Sequence, residues 1–266
     1  MGLVRSLKNT VKAAMQACPA VANPIWAVMF PFVRRAEYYP GAVDENRSDV
    51  FQKIYEHNWW GSSESRSGPG STLAYTARLR PRLERLLAEL KVRTFLDAPC
   101  GDFNWMRHVR LPDQTCYLGG DILAPLINNL QNEHGGPRHS FQVIDIVEGP
   151  IPVADLWLCR EVLTHLSNRD VLKVLDLFGN STVKHILTTT FDFVQENRDI
   201  GVGGIRLINL RLPPFELPPP MVRIADFIVP APPRYLALWS RKQVRDAIVA
   251  HDRVSAGDNV GRCKGP

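Results

Sequence analysis

The stretch that most limits what this chain can fold into is Thr94–Trp105, TFLDAPCGDFNW. An apolar run ends in Asp97, a turn with Pro99 and Gly101 follows, and Asp102, Asn104 and Trp105 read as the opening of a helix. A strand, a tight glycine turn and a helix start in that order present free backbone N–H groups to a polar ligand. Strand-like runs at 94–97, 116–120, 141–144, 155–159 and 185–190 alternate with helical spacing at 103–109, 123–133 and 168–178. Such alternation predicts βαβ units and a parallel sheet. Two more strand-like runs, at 223–229 and 234–239, have no helix between them, and a helix over 242–250 follows. The expected fold is therefore α/β, with a doubly wound, mostly parallel sheet and a C-terminal antiparallel hairpin.

Upstream of this core, Leu79, Leu83, Leu86, Leu87 and Leu90 share one face of a helix over about 72–90, which Pro81 either kinks or restarts. Val50–Trp59 also has helical spacing. Between the two lies GSSESRSGPGS (61–71), with the composition of a flexible linker. Its flanks fit an ordered lid equally well, and Trp59 and Trp60 read as core. Residues 1–50 read as a partly helical appendage, 51–254 as the domain and 255–266 as a disordered tail. Val21–Val33 is apolar and bordered by basic residues, yet it is too short to span a bilayer and contains Pro24 and Pro31. Packing on the domain is favoured, with peripheral membrane contact through residues 1–35 as the alternative. Residues 191–222, rich in Pro, Asn and Gly, read as a functional loop or as disorder.

Composition narrows the partners. A net charge of +5 would suit an acidic partner, but Lys and Arg are scattered, so a solvated surface is favoured over nucleic acid. Five cysteines without paired spacing give no metal site and no disulfide framework, which fits a reducing cytoplasm.

Ligands of doubly wound sheets sit beyond the carboxyl ends of the strands, and carboxylates stand at three consecutive ends: Asp97, Asp121 and Asp145. Asp121 follows Gly101 by 20 positions, the spacing at which an acid reaches ribose hydroxyls over the first turn. Asp145 suits an adenine amino group, with Ile122 and Ile146 flanking the ring. A single acid at a strand end is more often a helix cap; three in register with one glycine turn make a pocket. The turn lacks GxGxxG spacing, and Asp102 would repel phosphate, which points to a cofactor carrying a cationic sulfonium and ammonium. The fourth strand delivers Arg160, Glu161 and His165. His165 is the candidate general base, with a purely structural histidine as the equal alternative, and Glu161 orients substrate or pairs with Arg160. These two share a face if the segment is helical. Asn197, Asp199, Arg206 and Asn209, after the fifth strand, offer groups for hydroxyls or an acidic sugar, or else serve as turn and cap residues. Ser67 and Gly68 would close over the cofactor.

LDAPCG resembles the glycine motif of class I S-adenosylmethionine-dependent methyltransferases. More closely, SRSGPGSTL, DAPCGDFNWM, YLGGDI, the CRE and HLS pair, TTTF and the NRDI, GGIRLINL and PPF run are similar to a family of bacterial and plant class I methyltransferases, over about residues 50–245. The resemblance implies a seven-stranded, Rossmann-like methyltransferase fold. It implies S-adenosyl-L-methionine contacts at Asp97, Gly101, Asp121 and Asp145 and near Arg160; Ala98, Cys100 and Asp102 of the same turn join that candidate set. Some members of the family stand beside polysaccharide biosynthesis genes. The expected reaction is O-methylation of a sugar, a polysaccharide precursor or another small hydroxyl compound. The alternatives are a nucleic-acid methyltransferase, although CRE replaces the usual Asn/Asp-Pro-Pro-aromatic motif, and a cofactor-binding scaffold without catalysis.

Overall fold

The structure, a computed structural model, describes residues 41–42, 46–229 and 231–261, with side chains as far as Arg253. The expected appendage up to residue 40, its membrane-surface reading and the end of the tail beyond 261 lie outside the described residues.

Seven strands form one sheet: β1 Thr94–Asp97, β2 Cys116–Asp121, β3 His139–Val143, β4 Leu156–Cys159, β5 His185–Thr190, β6 Val222–Ala225 and β7 Tyr235–Ser240. Their order is β3-β2-β1-β4-β5-β7-β6. The first five run parallel, and β7 lies antiparallel between β5 and β6. The winding reverses between β1 and β4, so the crevice where such sheets take ligands opens there. The helices are α1 Arg47–Glu56, α2 Leu73–Thr76, α3 Arg80–Glu89, α4 Ala124–His134, α5 Asn168–Asn180 and α6 Arg241–Gly261.

The strands read as continuous apolar runs because both sheet faces are covered. On one face Leu96, Trp157, Cys159, Ile186 and Trp239 pack against Val171, Val174 and Phe178 of α5 and Val244 of α6. On the other, Phe95, Tyr117, Leu156, Leu158 and Leu238 meet Leu83, Leu86 and Leu87 of α3 and Ile127 and Leu130 of α4. Residues 191–222 join the first of these cores through Ile208, Leu210, Phe215 and Leu217, which anchors the proline-rich cover on the sheet.

Helix starts follow local chemistry. The Asn46 side chain accepts from the N–H groups of Ser48 and Asp49 to cap α1, and Ser167 accepts from Asp170 N–H to cap α5. Pro81 starts α3 afresh, so the helix expected over 72–90 divides into α2 and α3. The helix expected over 103–109 shrinks to one 3-10 turn, Met106–His108. Phe103 takes φ +57°, a left-handed conformation that no right-handed helix passes through. The run 223–229 is shorter as a strand, β6 ending at Ala225, and α6 extends well beyond 250. Among the described residues no helix is long and apolar enough to cross a membrane.

Trp157 is fully buried and donates Nε1–H to the Ala98 carbonyl at 2.8 Å. Trp157→Phe leaves that carbonyl without its donor in a dry interior. The expected loss is about 1–3 kcal/mol in urea unfolding with an unchanged slope; an unshifted midpoint would contradict this packing.

Candidate functional site

A cavity of about 310 Å³ lies at the carboxyl ends of β1, β2 and β4, under α1 and the loop that follows it. That volume falls in the range of small-molecule and cofactor pockets. Asp97, Cys100, Gly101, Asp121, Ile122, Asp145, Ile146, Arg160, Glu161, His165, Ser67 and Gly68 all line it. So do Arg47, Phe51 and Tyr55 of α1, together with Trp60 and Trp105, which the sequence reading did not place there.

Gly101 has φ +54°, and a Cβ on it would collide with Ser67 Oγ. Only glycine fits this turn. Its N–H donates to Asp121 Oδ2 at 3.2 Å, while Asp121 Oδ1 accepts from Leu123 N–H, also at 3.2 Å. Asp121 thus stabilises the approach to α4 and forms the cavity wall at once. Burial raises its carboxyl to about 6 against the pull of these backbone donors. Asp97, buried, accepts from the Tyr117 hydroxyl at 2.8 Å. Burial lifts it to about 7; the Tyr117 hydrogen bond and the Arg160 charge oppose the rise, and Asp121 adds to it. A cation in this cavity would draw both carboxylates fully into their charged form. Asp145 accepts from Val147 N–H at 2.9 Å and from Arg47 Nη2 at 2.9 Å, which ties α1 to the end of β3.

Two members of the candidate cofactor set stand elsewhere. The Ala98 side chain is buried in the core beside Trp157 and does not reach the cavity. Asp102 turns its carboxylate to the loop, accepting from Ser65 Oγ at 2.9 Å, Arg66 N–H at 2.7 Å and Ser67 Oγ at 3.1 Å. Glu64 and Asn104 add a second tie at 2.9 Å. These bonds make GSSESRSGPGS an ordered wall, and they correct the role read for Asp102 from phosphate exclusion to loop clamping.

At the end of β4, Arg160 donates to both Asp226 oxygens, at 2.9 and 3.1 Å, and to the Gly70 carbonyl at 2.8 Å. Its guanidinium lies over the Trp105 ring, 5.1 Å from the centroid. Arg234 donates to Asp226 at 3.1 Å and, through Nη1, to Glu161. Burial works against the Arg234 charge, but Asp226 and Glu161 outweigh it and hold the group above its ordinary value. Glu161 therefore pairs with Arg234 and not with Arg160. It sits at φ +60° and does not share a helix face with His165, because only Leu163–His165 forms a turn of 3-10 helix. The sequence reading missed Asp226 and Arg234; the visible sign was a charge within each of the last two strand-like runs.

His165 Nδ1 lies 2.7 Å from the Gly204 carbonyl. A carbonyl only accepts, so Nδ1 carries the proton and Nε2 keeps a lone pair. Burial lowers the imidazole's pKa, although the Gly204 bond and Glu161 oppose the fall, so the ring is neutral at neutral pH. Trp60 packs against it with centroids 4.4 Å apart, while Trp59 is 62% exposed; neither is the core residue expected.

Asn197, Asp199, Arg206 and Asn209 do not line the cavity; they hold the proline-rich cover together. Asn197 bridges the Asn209 and Pro213 carbonyls at 2.8 and 2.9 Å, and Asn209 donates to the Val194 carbonyl at 3.0 Å. Asp199 accepts from Asn168 N–H at 2.7 Å at the start of α5. Arg206, buried, donates to Asn168 Oδ1 at 2.6 Å and the Leu166 carbonyl at 2.8 Å. Their side chains serve the turn-and-cap alternative. The cover contributes to the site through Ile205, which lines the cavity, and through a backbone atom, the Gly204 carbonyl that holds His165.

No protein-family model and no curated protein matches the chain. Solved structures do match. A crystal structure of magnesium protoporphyrin IX methyltransferase (ChlM) from Synechocystis PCC 6803 with bound SAH superposes at TM-score 0.52 and 9% identity, covering 73% of this chain and 97% of that one. The 1,6-didemethyltoxoflavin-N1-methyltransferase of Burkholderia thailandensis, with 1,6-didemethyltoxoflavin and S-adenosylhomocysteine bound, gives TM-score 0.52 and 16% identity over 76% of this chain and 93% of that one. The methyltransferase domain of bacterial CtHen1 is matched over 66% of its length and 44% of this chain, at TM-score 0.39 and 15% identity. At such identities the first two establish the fold: a seven-stranded, Rossmann-like methyltransferase fold.

Gly101→Ala forces a side chain against Ser67 in a left-handed turn and releases the Asp102 clamp. Tryptic cleavage after Arg66 is expected to accelerate by about tenfold or more as the loop opens; an unchanged cleavage rate would show that Gly101 does not set the loop.

Proposed function

We propose that this chain is an S-adenosyl-L-methionine-dependent methyltransferase that O-methylates a small hydroxyl compound, with a sugar or polysaccharide precursor as the best fit. One observation carries the reading: a single cavity collects Asp97, Asp121 and Asp145 from three strand ends and a neutral His165 from the loop after a fourth. The donor set suits the group. Asp121, beside Gly101, can accept from ribose hydroxyls, and Asp145 from an adenine amino group between Ile122 and Ile146. Asp97 offers a desolvated carboxylate to the cationic end.

When bound, S-adenosylmethionine supplies an electrophilic methyl carbon on a cationic sulfonium. The chain's residues do the rest. Asp97 and Asp121 place negative charge at the positive end of the ligand, and Ser67, Gly68 and Trp60 close the cavity over it. The cavity walls would position an acceptor beside the bound cofactor, and positioning of this kind supplies much of the rate of methyl transfer. His165 Nε2 takes the proton of the acceptor hydroxyl as its oxygen attacks. The Gly204 carbonyl fixes the tautomer, and Glu161 favours the imidazolium that forms. The Burkholderia protein holds a small molecule beside its S-adenosylhomocysteine, in keeping with a small-molecule acceptor here. The glycan assignment rests on the family resemblance.

Asp121→Asn is expected to weaken S-adenosylmethionine binding in calorimetry by about a hundredfold, the scale of losing a charged hydrogen bond. Unchanged affinity would sink the site assignment. His165→Gln should leave that affinity within about twofold and lower kcat by a factor of about 10²–10⁴; a full-speed variant would remove His165 as the base. Burial lowers the His165 pKa, so kcat is expected to stay level through neutral pH and fall only below about 6.5, the ordinary imidazole value. A decline that begins above that value would contradict the assignment.

A further inference from the structure

Three guanidiniums line the cavity, and they differ in what they leave free. Arg47 gives its outer nitrogens to Asp145, Glu148 and Asp170. Arg66 is exposed and gives Nη1 to the Tyr55 and Glu56 carbonyls at the end of α1. Arg160 is the buried one, its side chain only 5% exposed. Nε and Nη2 are committed to Asp226 and the Gly70 carbonyl, but Nη1 has no hydrogen-bond partner. Unlike Arg47 Nε and Arg234 Nη2, which are also unpartnered, Arg160 Nη1 is not enclosed. It stands in the lining with two N–H groups unspent, on a guanidinium fixed by Asp226, Gly70 and the Trp105 ring. A charged donor kept from water and left unmatched is costly, and a ligand acceptor relieves it.

The place of this donor in the sheet indicates what it serves. Asp97, Asp121 and Asp145 follow β1, β2 and β3, the half of the sheet where the proposed cofactor lies. Arg160 ends β4, is tied to Asp226 just past β6, and precedes His165 in the same loop. It stands on the side of the base. Resting on the methyltransferase reading, the geometry points to an acceptor substrate that is a hydroxy acid. Its carboxylate takes the two N–H groups of Arg160 Nη1, and its hydroxyl donates to His165 Nε2. Among sugars this is a uronic acid. The acids of the lining do not exclude it: Arg47 meets Asp145, and Arg234 meets Glu161, whose Oε1 is enclosed. A phosphate spreads its charge over three oxygens and needs further donors. The other unpartnered one, Arg234 Nη2, is shut behind Gly70, where a Cβ would come within 3.4 Å of it. The carboxylate is not consumed, so Arg160 is a specificity determinant for the acceptor and not the cofactor contact that the resemblance implies.

Methyl transfer from radiolabelled S-adenosylmethionine into small molecules of a cell extract tests this. The acceptor is expected in the fraction that an anion exchanger retains at pH 7 and releases at pH 2, where carboxylates are protonated. Amidating the carboxyl groups of that fraction with carbodiimide and ethanolamine should lower incorporation by about tenfold or more. The labelled product should still bind the exchanger at pH 7; one that flows through carries the methyl as an ester and overturns the assignment. Arg160→Lys keeps a positive charge for Asp226 but loses the fork, so KM for the acceptor fraction should rise by about tenfold or more. Its affinities for S-adenosylmethionine and for decarboxylated S-adenosylmethionine should both stay within about twofold of wild type. A loss confined to the intact cofactor would show that Arg160 serves the cofactor's own carboxylate, which overturns the acceptor assignment. A variant that binds neither compound is misfolded, and the amidation result on the wild-type protein then decides. Incorporation that survives amidation, or a wild-type KM in Arg160→Lys, overturns the hydroxy-acid assignment and leaves the methyltransferase reading standing. No incorporation in any fraction overturns both.

Discussion

The burial of Asp97 and Asp121 at neighbouring strand ends is the constraint on which the rest of the structure depends. A carboxylate taken out of water is costly unless donors or charges meet it. Asp97 faces Tyr117, and Asp121 faces the backbone of Gly101 and Leu123. The register of β1 on β2, with Asp97 beside Gly119, brings the two acids close together. Both stay near neutrality, at about 7 and about 6, because burial exceeds the help their donors give. Such a pair gains more from a cationic ligand than a solvated pair would. In the proposed function, the folding of the glycine turn and the binding of a positively charged cofactor are two sides of one arrangement.

Around that pair the chain spends polar groups on rigidity. Asp102 fastens the loop before α2 to the glycine turn, and Arg47 fastens α1 to Asp145 and Glu148. On the far side, Arg160, Asp226, Arg234 and Glu161 alternate in sign. Removing one partner from such a buried set strands another charge, so its members are coupled and substitutions there should not add. The set also explains how a glutamate keeps a left-handed backbone beside a neutral histidine. Both are held from behind, by Arg234 on one side and by the Gly204 carbonyl on the other.

The sheet was legible in the sequence because buried parallel strands are apolar on both faces, and such runs stand out between amphipathic helices. The strand-end acids were legible for a simpler reason: the period of the fold puts them at the same edge. What stayed hidden came from contacts distant in sequence. Asp102 looked like a ligand-facing residue, because nothing local shows that Ser65 and Ser67 return to it from 35 or more positions away. Asn197, Arg206 and Asn209 looked available because they sit in a proline-rich segment, yet that segment has to satisfy its own buried carbonyls and uses those side chains to do so. Trp60 read as core by composition alone, whereas its packing on His165 depends on how the loop lands. The charged partners Asp226 and Arg234 lie at the ends of β6 and β7, and only the placing of β7 between β5 and β6 brings them behind β4.

The central claim is that a desolvated carboxylate pair binds a cation. Its most direct test is the titration of the Asp97 carboxyl carbon by ¹³C NMR, without and with saturating S-adenosylmethionine. The account predicts a midpoint near 7 in the free protein. On binding, that midpoint should move down by at least one unit, because a nearby positive charge favours the ionised form. A midpoint that is already in the ordinary carboxylate range near 4, or one that does not move when the ligand binds, would contradict it.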